Sequence, residues 1–296
     1  TMKKKAEEQF RNQQAKPTVK EGETVTETYT VQVTDDQGGT ASQIVIVTVQ
    51  GTNDVPVITN IAADLLGEVT ESGLTPLGAA EAGTVTAAGT LSASDVDSDA
   101  TQTWTINSDD STTVYGALTI EPDTGEWTYT LDNSLAATQA LDVGDTDTQS
   151  YTVRVTDDFG AYVDQTVVIT INGTNDAPTI TSTVEAAKGT VIEAGDEDDG
   201  TVVLGINSVN GQLTADDVDE SDTPATLVWA EIVNQTNNYG TFNLSDTGAW
   251  DFELNNASAE VQALKEGDTH TEIFNAQVSD GHGGTTIQLV EITITG

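Results

Sequence analysis

The feature that most limits what this chain can fold into is internal repetition. Three segments superimpose without a gap at offsets of 122 and 123: GETVTETYTVQVTDDQGGTASQIVIVTVQG (22–51), GDTDTQSYTVRVTDDFGAYVDQTVVITING (144–173) and GDTHTEIFNAQVSDGHGGTTIQLVEITITG (267–296). Upstream, GTLSASDVDSD (89–99) matches GQLTADDVDES (211–221), and DTGEWTYTLDNSLAATQAL (123–141) matches DTGAWDFELNNASAEVQAL (246–264). A chain of 296 residues has room for about two domains of ordinary size. The repeat divides it into an atypical basic extension (1–21), the C-terminal strand pair of a partial repeat with its linker (22–56), and two complete repeats (57–174 and 175–296). The phrase GTNDVP (51–56) returns as GTNDAP (173–178), so one short joint connects like parts.

Each repeat reads as strands. Tyr29, Val31 and Val33 alternate with threonine and glutamine, and the same period-2 pattern returns at Tyr151, Val153 and Val155 and at Phe274, Ala276 and Val278. The β-branched runs IVIVTV, VVITI and VEITI close each repeat, and further strands are expected around Leu91, 104–106, 118–120 and 127–131. Gly, Asp and Asn turns separate them at the spacing of a sandwich, which predicts about seven strands per repeat. In SLAATQAL and ASAEVQAL, alanine, glutamine and leucine predict a helical turn before the penultimate strand. Trp127 and Trp250 read as core residues, with an exposed, sugar-stacking role as the lesser alternative. GDEDDG (195–200) stands where the other repeat has GLTPLG (73–78) and reads as a solvated loop.

Charge narrows the partners. There are 49 acidic and 9 basic residues, a net charge of −40, and after Gly51 the only bases are Arg154, Lys188 and Lys265. Such a surface repels nucleic acid and anionic membranes and opposes its own compaction unless cations are bound. No apolar run is long enough to span a bilayer, and no cysteine is present, which excludes disulfides and thiolate chemistry.

The phrases GTNDAP, DTGEWTYTLDN, VTDDFG and ITINGTNDAP resemble the VCBS repeat of giant bacterial RTX-type adhesins and, more distantly, the cadherin domain; the likeness covers nearly everything after Gly22. It implies an all-β fold of tandem Ig-like or cadherin-like β-sandwiches joined by short calcium-binding linkers. A cadherin repeat gathers its calcium ligands from an early Glu, an Asp-x-Asp, a D-x-G turn and an Asn-Asp linker. On that pattern the second joint would use Glu71, Asp145 and Asp147 from below, Asn172, Asn175 and Asp176 from the linker, and Asp217, Asp219 and Asp280 from above. The first joint would use Glu23, Asn53, Asp54, Asp95, Asp97 and Asp157, and Glu193 repeats Glu71. The linker departs from the cadherin pattern, since Gly-Thr-Asn-Asp lacks the first linker carboxylate.

Residue chemistry supports the expectation. Calcium takes about 6–8 oxygen ligands, more than one strand can present, so they must converge from several loops at the end of a sandwich. Carboxylates gathered there without a cation repel one another, which couples ion binding to ordering.

Catalysis is not expected. The only histidines, His270 and His282, have Asp147 and Phe159 as repeat-mates, and no nucleophile elbow, zinc-protease motif or phosphate loop occurs. The resemblance implies a non-catalytic, calcium-rigidified extender of an extracellular adhesin acting in cell adhesion and biofilm, exported by a type I route whose signal lies outside this sequence. Its partners would be neighbouring repeats of the same chain. Two alternatives stay open: a calcium-dependent module that self-associates or binds cell-surface glycans or exopolysaccharide, and a calcium-independent acidic spacer. Residues 22–50 supply only two strands, so this part is expected to be poorly packed or docked on a neighbouring edge.

Overall fold

The computed structural model describes residues 19–75, 79–97, 99–107, 114–196, 200–219, 221–232 and 237–296. The basic stretch before Val19 and parts of the loops at 73–78 and 195–200 lie outside them. The described chain is all-β apart from short helical turns.

In the first complete repeat a four-stranded sheet, ordered Leu66–Thr70, Tyr162–Asn172, Thr146–Asp157 and Gln102–Ile106, packs on a three-stranded one, Gly116–Ile120, Glu126–Leu131 and Thr86–Thr90. The second repeat copies it. Lys188–Ile192, Thr285–Thr295, Thr269–Ser279 and Val228–Glu231 face Ser208–Gln212, Ala249–Leu254 and Gly240–Leu244. After a two-residue strand, Val57–Ile58 or Thr179–Ile180, the first long strand of each sandwich runs parallel beside its last, a pairing that strand periodicity does not reveal. Leu91, expected in a strand, is a buried connector between Thr86–Thr90 and Ala93–Ser94.

The period-2 pattern sets the core. Tyr151, Val153 and Val155 on one strand and Val167, Ile169 and Ile171 on the next all point inward and are buried. Trp127 and Trp250 are buried as well, which removes them as sugar-stacking platforms. Each lies opposite a glycine, Gly89 and Gly211, in the neighbouring strand. A Cβ at Gly89 would stand 2.7 Å from the indole, so the ring occupies the space a side chain would need. SLAATQAL forms the expected turn at Ala136–Gln139, whereas ASAEVQAL makes only a looser turn with buried Val261.

The three hairpins share one register, Thr24↔Gln50, Thr146↔Asn172 and Thr269↔Thr295. Their surroundings differ. Among the described residues, strands Thr24–Thr34 and Thr40–Gln50 pair only with each other, and the face that is buried in the complete repeats is open: Val31 is 45% and Val47 42% exposed, against 0% for Val153 and Ile169. Full burial of such a side chain contributes about 1.5–3 kcal/mol, so this hairpin lacks the main stabilising term of its copies.

Candidate metal centre at the joint between repeats

The linker is tied to both sandwiches by its backbone. A Cβ on Gly173 would lie 2.3 Å from the Leu141 carbonyl oxygen, so only glycine lets the linker rest on the lower repeat. Asn172 accepts the Glu71 amide (2.9 Å) and Asn175 the Leu74 amide (2.6 Å). From above, Asp219 Oδ2 accepts the Asp176 amide (2.8 Å), and Asp280 Oδ2 accepts Asn175 Nδ2 (3.1 Å). The Asp280 turn is closed by its own amides, since Oδ1 accepts from His282, Gly283 and Gly284.

At the first joint the upper half of this arrangement recurs bond for bond. Asp97 Oδ2 accepts the Asp54 amide (2.8 Å), and Asp157 Oδ2 accepts Asn53 Nδ2 (2.9 Å). Asp157 Oδ1 accepts from Phe159 and Ala161 (2.9 Å each). The Asp-x-Asp loops are closed alike, Asp97 N donating to Asp95 and Asp219 N to Asp217.

The second joint differs in what it buries. Glu71 is 0%, Asn175 1% and Asp219 2% exposed. Six buried oxygens there have no hydrogen-bond partner: Glu71 Oε2, Thr174 Oγ1, Asn175 Oδ1, Asp176 Oδ2, Asp217 Oδ2 and Asp219 Oδ1. Buried polar atoms are rarely left in this state. At the first joint only Asp95 Oδ2 is so placed among the described residues. The other Glu71 oxygen accepts Gln139 Nε2 (2.6 Å), and Glu193 repeats that bond with Gln262 (2.7 Å) at the far end of the second repeat, where it is only half-buried.

Electrostatics mark the same group. Burial, reinforced by Asp176 and Asp219, pushes Glu71 up to about 8. Burial, with Asp142, Asp217 and Asp176 nearby, raises Asp219 to about 7, and burial raises Asp217 to about 6. Burial also raises Asp176 and Asp222. Among the described residues the one ion-pairing partner at this group is His282, which reaches Asp142 and Asp222.

The other expected ligands are placed differently. Asp145 is exposed, and its backbone carbonyl accepts the Gly173 amide. Asp147 is exposed and accepts the Tyr115 hydroxyl (2.5 Å). The Asn172 side chain turns to Glu68 and the Val69 carbonyl. Glu23 is exposed and uses its carbonyl for Gly51 as Asp145 does for Gly173. Asp147 is in step with buried Gln149 and Tyr151 but stands at the exposed end of the strand, whereas Asn172 alternates with buried Ile171 and so faces the other way. Conversely, Asp222 joins Asp217 and Asp219 with carboxylate oxygens within 4.8 Å, and Asp142, Asp222 and His282 form a second such group. These three had no signal in the repeat, because their mates are Lys20 and Lys265, Ala100, and Phe159.

Two consecutive sandwiches with converging acids at the shared joint define a tandem β-sandwich protein of the cadherin-like class. A family model for the bacterial cadherin-like domain matches residues 53–173 and 175–296, and the chain belongs to that family. Among solved structures it is similar to domains EC22-24 of mouse cadherin-23, with 13% identity, a TM-score of 0.42, and coverage of 90% of this chain and 73% of that one. Domains EC21-23 of human CDH23 give 16% identity, a TM-score of 0.43, and 91% and 74% coverage. The protocadherin GammaB4 extracellular domain gives 12% and 0.45, covering 92% of this chain, which spans 37% of that structure's length. Comparison with curated proteins found no match.

Proposed function

We propose that this chain is a non-catalytic extender from an extracellular bacterial adhesin of the VCBS, RTX-type kind, in which calcium locks successive sandwiches in line. The observation that carries the reading is the set of six buried, unpartnered oxygens at the second joint, supplied by both sandwiches and the linker. The donors fit: carboxylate, amide and hydroxyl oxygens suit a hard cation that takes about 6–8 of them in flexible geometry. Glu71, Asn175, Asp176, Asp217 and Asp219 would hold it, with Asp222 beside them. Asp280 fixes the Asn175 amide so that Oδ1 stays free for the ion.

Bound calcium supplies the positive charge that these buried carboxylates lack. The chain's own part is to bring acids from two domains to one linker, so that the joint closes only when their repulsion is cancelled. Repeats at 57–174 and 175–296 would then behave as rigid units, and export before calcium binding, by a type I route, would keep the chain extended and unlocked. Small-angle scattering of the chain in millimolar calcium and in chelator tests this. An elongated particle that bends or shortens on chelation is expected. Identical profiles, together with identical melting curves, would leave an acidic spacer instead, and chelator-sensitive glycan binding without a change of shape would point to a lectin-like module.

A further inference from the structure

The second joint carries a side chain unlike that of its sequence mates. His282 stands where the first complete repeat has Phe159 and the partial repeat has Gln37. Its Nδ1 lies 3.2 Å from Asp142 Oδ2 and 3.3 Å from Asp222 Oδ2. Asp142 and Asp222 are 5% and 4% exposed, while the imidazole side chain is 41% exposed. The group therefore has two buried anionic walls and one side open to solvent. It spans the joint, with Asp142 from the lower sandwich and the other two residues from the upper. Ser221 also holds Asp142 Oδ2 from above (2.5 Å). On the inner side Asp219, 2% exposed and with Oδ1 unpartnered, shares a 4.8 Å cluster with Asp222.

We propose that Asp142, Asp222 and His282 form a second cation site at this joint, one that takes a borderline transition-metal ion of the zinc type. An imidazole nitrogen with two carboxylate oxygens is a ligand set such ions favour, whereas calcium prefers oxygen alone. The spacing agrees. Ligands about 2.0–2.1 Å from a tetrahedral ion stand about 3.3 Å from one another; Nδ1 is at that separation from both carboxylates, and the three ligand atoms all lie within 4.8 Å of one another. Three protein ligands with a solvent-facing side leave a position open for exchange. The first joint lacks the set, since Lys20, Ala100 and Phe159 occupy the three positions. The ion would thus mark one joint of an otherwise repetitive chain and tie Asp142 of one sandwich to His282 of the next. The inference goes beyond the calcium reading and stands or falls separately.

The test is calorimetric titration of zinc into the full chain at saturating calcium, with cobalt(II) absorption as a second readout. One ion per chain is expected, in the micromolar range or tighter. His282→Phe and Asp222→Ala install residues that the other repeat carries at these positions, so both should fold. Each is expected to weaken zinc at least tenfold, and His282→Phe should leave calcium stoichiometry unchanged. Absence of zinc uptake by the unsubstituted chain, or uptake unaltered in His282→Phe, overturns the site and leaves a hydrogen-bonded imidazole clamp between two carboxylates. Zinc uptake by a chain that fails to bind calcium would sink the extender reading alone.

Discussion

The two joints of this chain have the same upper half and different lower halves. Above each linker, an Asp-x-Asp loop accepts a linker amide and a turn aspartate accepts a linker asparagine, at nearly equal distances. Below the second joint stand Glu71 and Asp142, while below the first the described residues offer the bare hairpin and Lys20 at the position of Asp142. The consequence shows in the orphaned oxygens, six at one joint and one at the other among the described residues. One sandwich thus orders its acids with its own loops, and the sandwich beneath it adds buried carboxylates whose repulsion a cation would relieve.

The comparison breaks most readily under chelation. Occupancy at a hundredfold excess over Kd stabilises by about 2.7 kcal/mol per site, on the order of ten degrees in Tm for a domain of this size. Hydrogen exchange on the whole chain should therefore show the Asp176 amide losing far more protection in chelator than the Asp54 amide. Equal losses would mean that the lower sandwich adds nothing.

Next in size is Glu71→Gln, which should act with opposite signs in the two conditions. Calcium affinity is expected to drop roughly tenfold or more, since ligand charge sets it. In chelator at pH 8, where Glu71 is part ionised, the same change removes a buried carboxylate, and Tm should rise by about 2–4 °C. A destabilised variant in both conditions would show that the carboxylate is needed for packing and not for an ion.

A smaller effect is expected from pH in chelator. Carboxylates titrate near 4 in an unfolded chain, whereas Asp217, Asp219 and Glu71 titrate at about 6, 7 and 8 when folded. The folded state then keeps protons that the unfolded state has lost, so stability is greatest below about pH 4 and falls as pH rises toward 8. Melting curves at pH 5 and pH 8 should show that fall in chelator and not in calcium. A calcium-free chain that is more stable at pH 8 would contradict the buried placement of these acids.

Smallest of all is Asp147→Asn. Its side chain is exposed and held by Tyr115, so calcium affinity should stay the same and stability should change by about 0.5 kcal/mol or less. A clear loss of calcium would return Asp147 to the cage.

Much of this architecture was legible because repetition acts as an internal alignment. Strand faces, the shared hairpin register and the recurring acids of the linker and Asp-x-Asp loops all reappear at a fixed offset, and the structure brings Glu71, Asn175, Asp176, Asp217 and Asp219 to one place. The same logic hid the rest. Asp142, Asp222 and His282 differ from their mates, so comparing repeats discards them although they face the joint. The cadherin pattern also pointed to Asp145 and Asp147, which lie across the hairpin from the linker but at the exposed end of their strand, beyond the core. Parallel pairing of first and last strands was invisible for another reason: periodicity gives a strand its faces but not its neighbour.

That pairing sets how the chain would carry a mechanical load. In each sandwich the first long strand, Leu66–Thr70 or Lys188–Ile192, lies parallel beside the last, Tyr162–Asn172 or Thr285–Thr295, and these two lead to opposite ends. A pull along the chain draws them past each other lengthwise, so the rungs of the ladder share the force and must yield together instead of unzipping one by one.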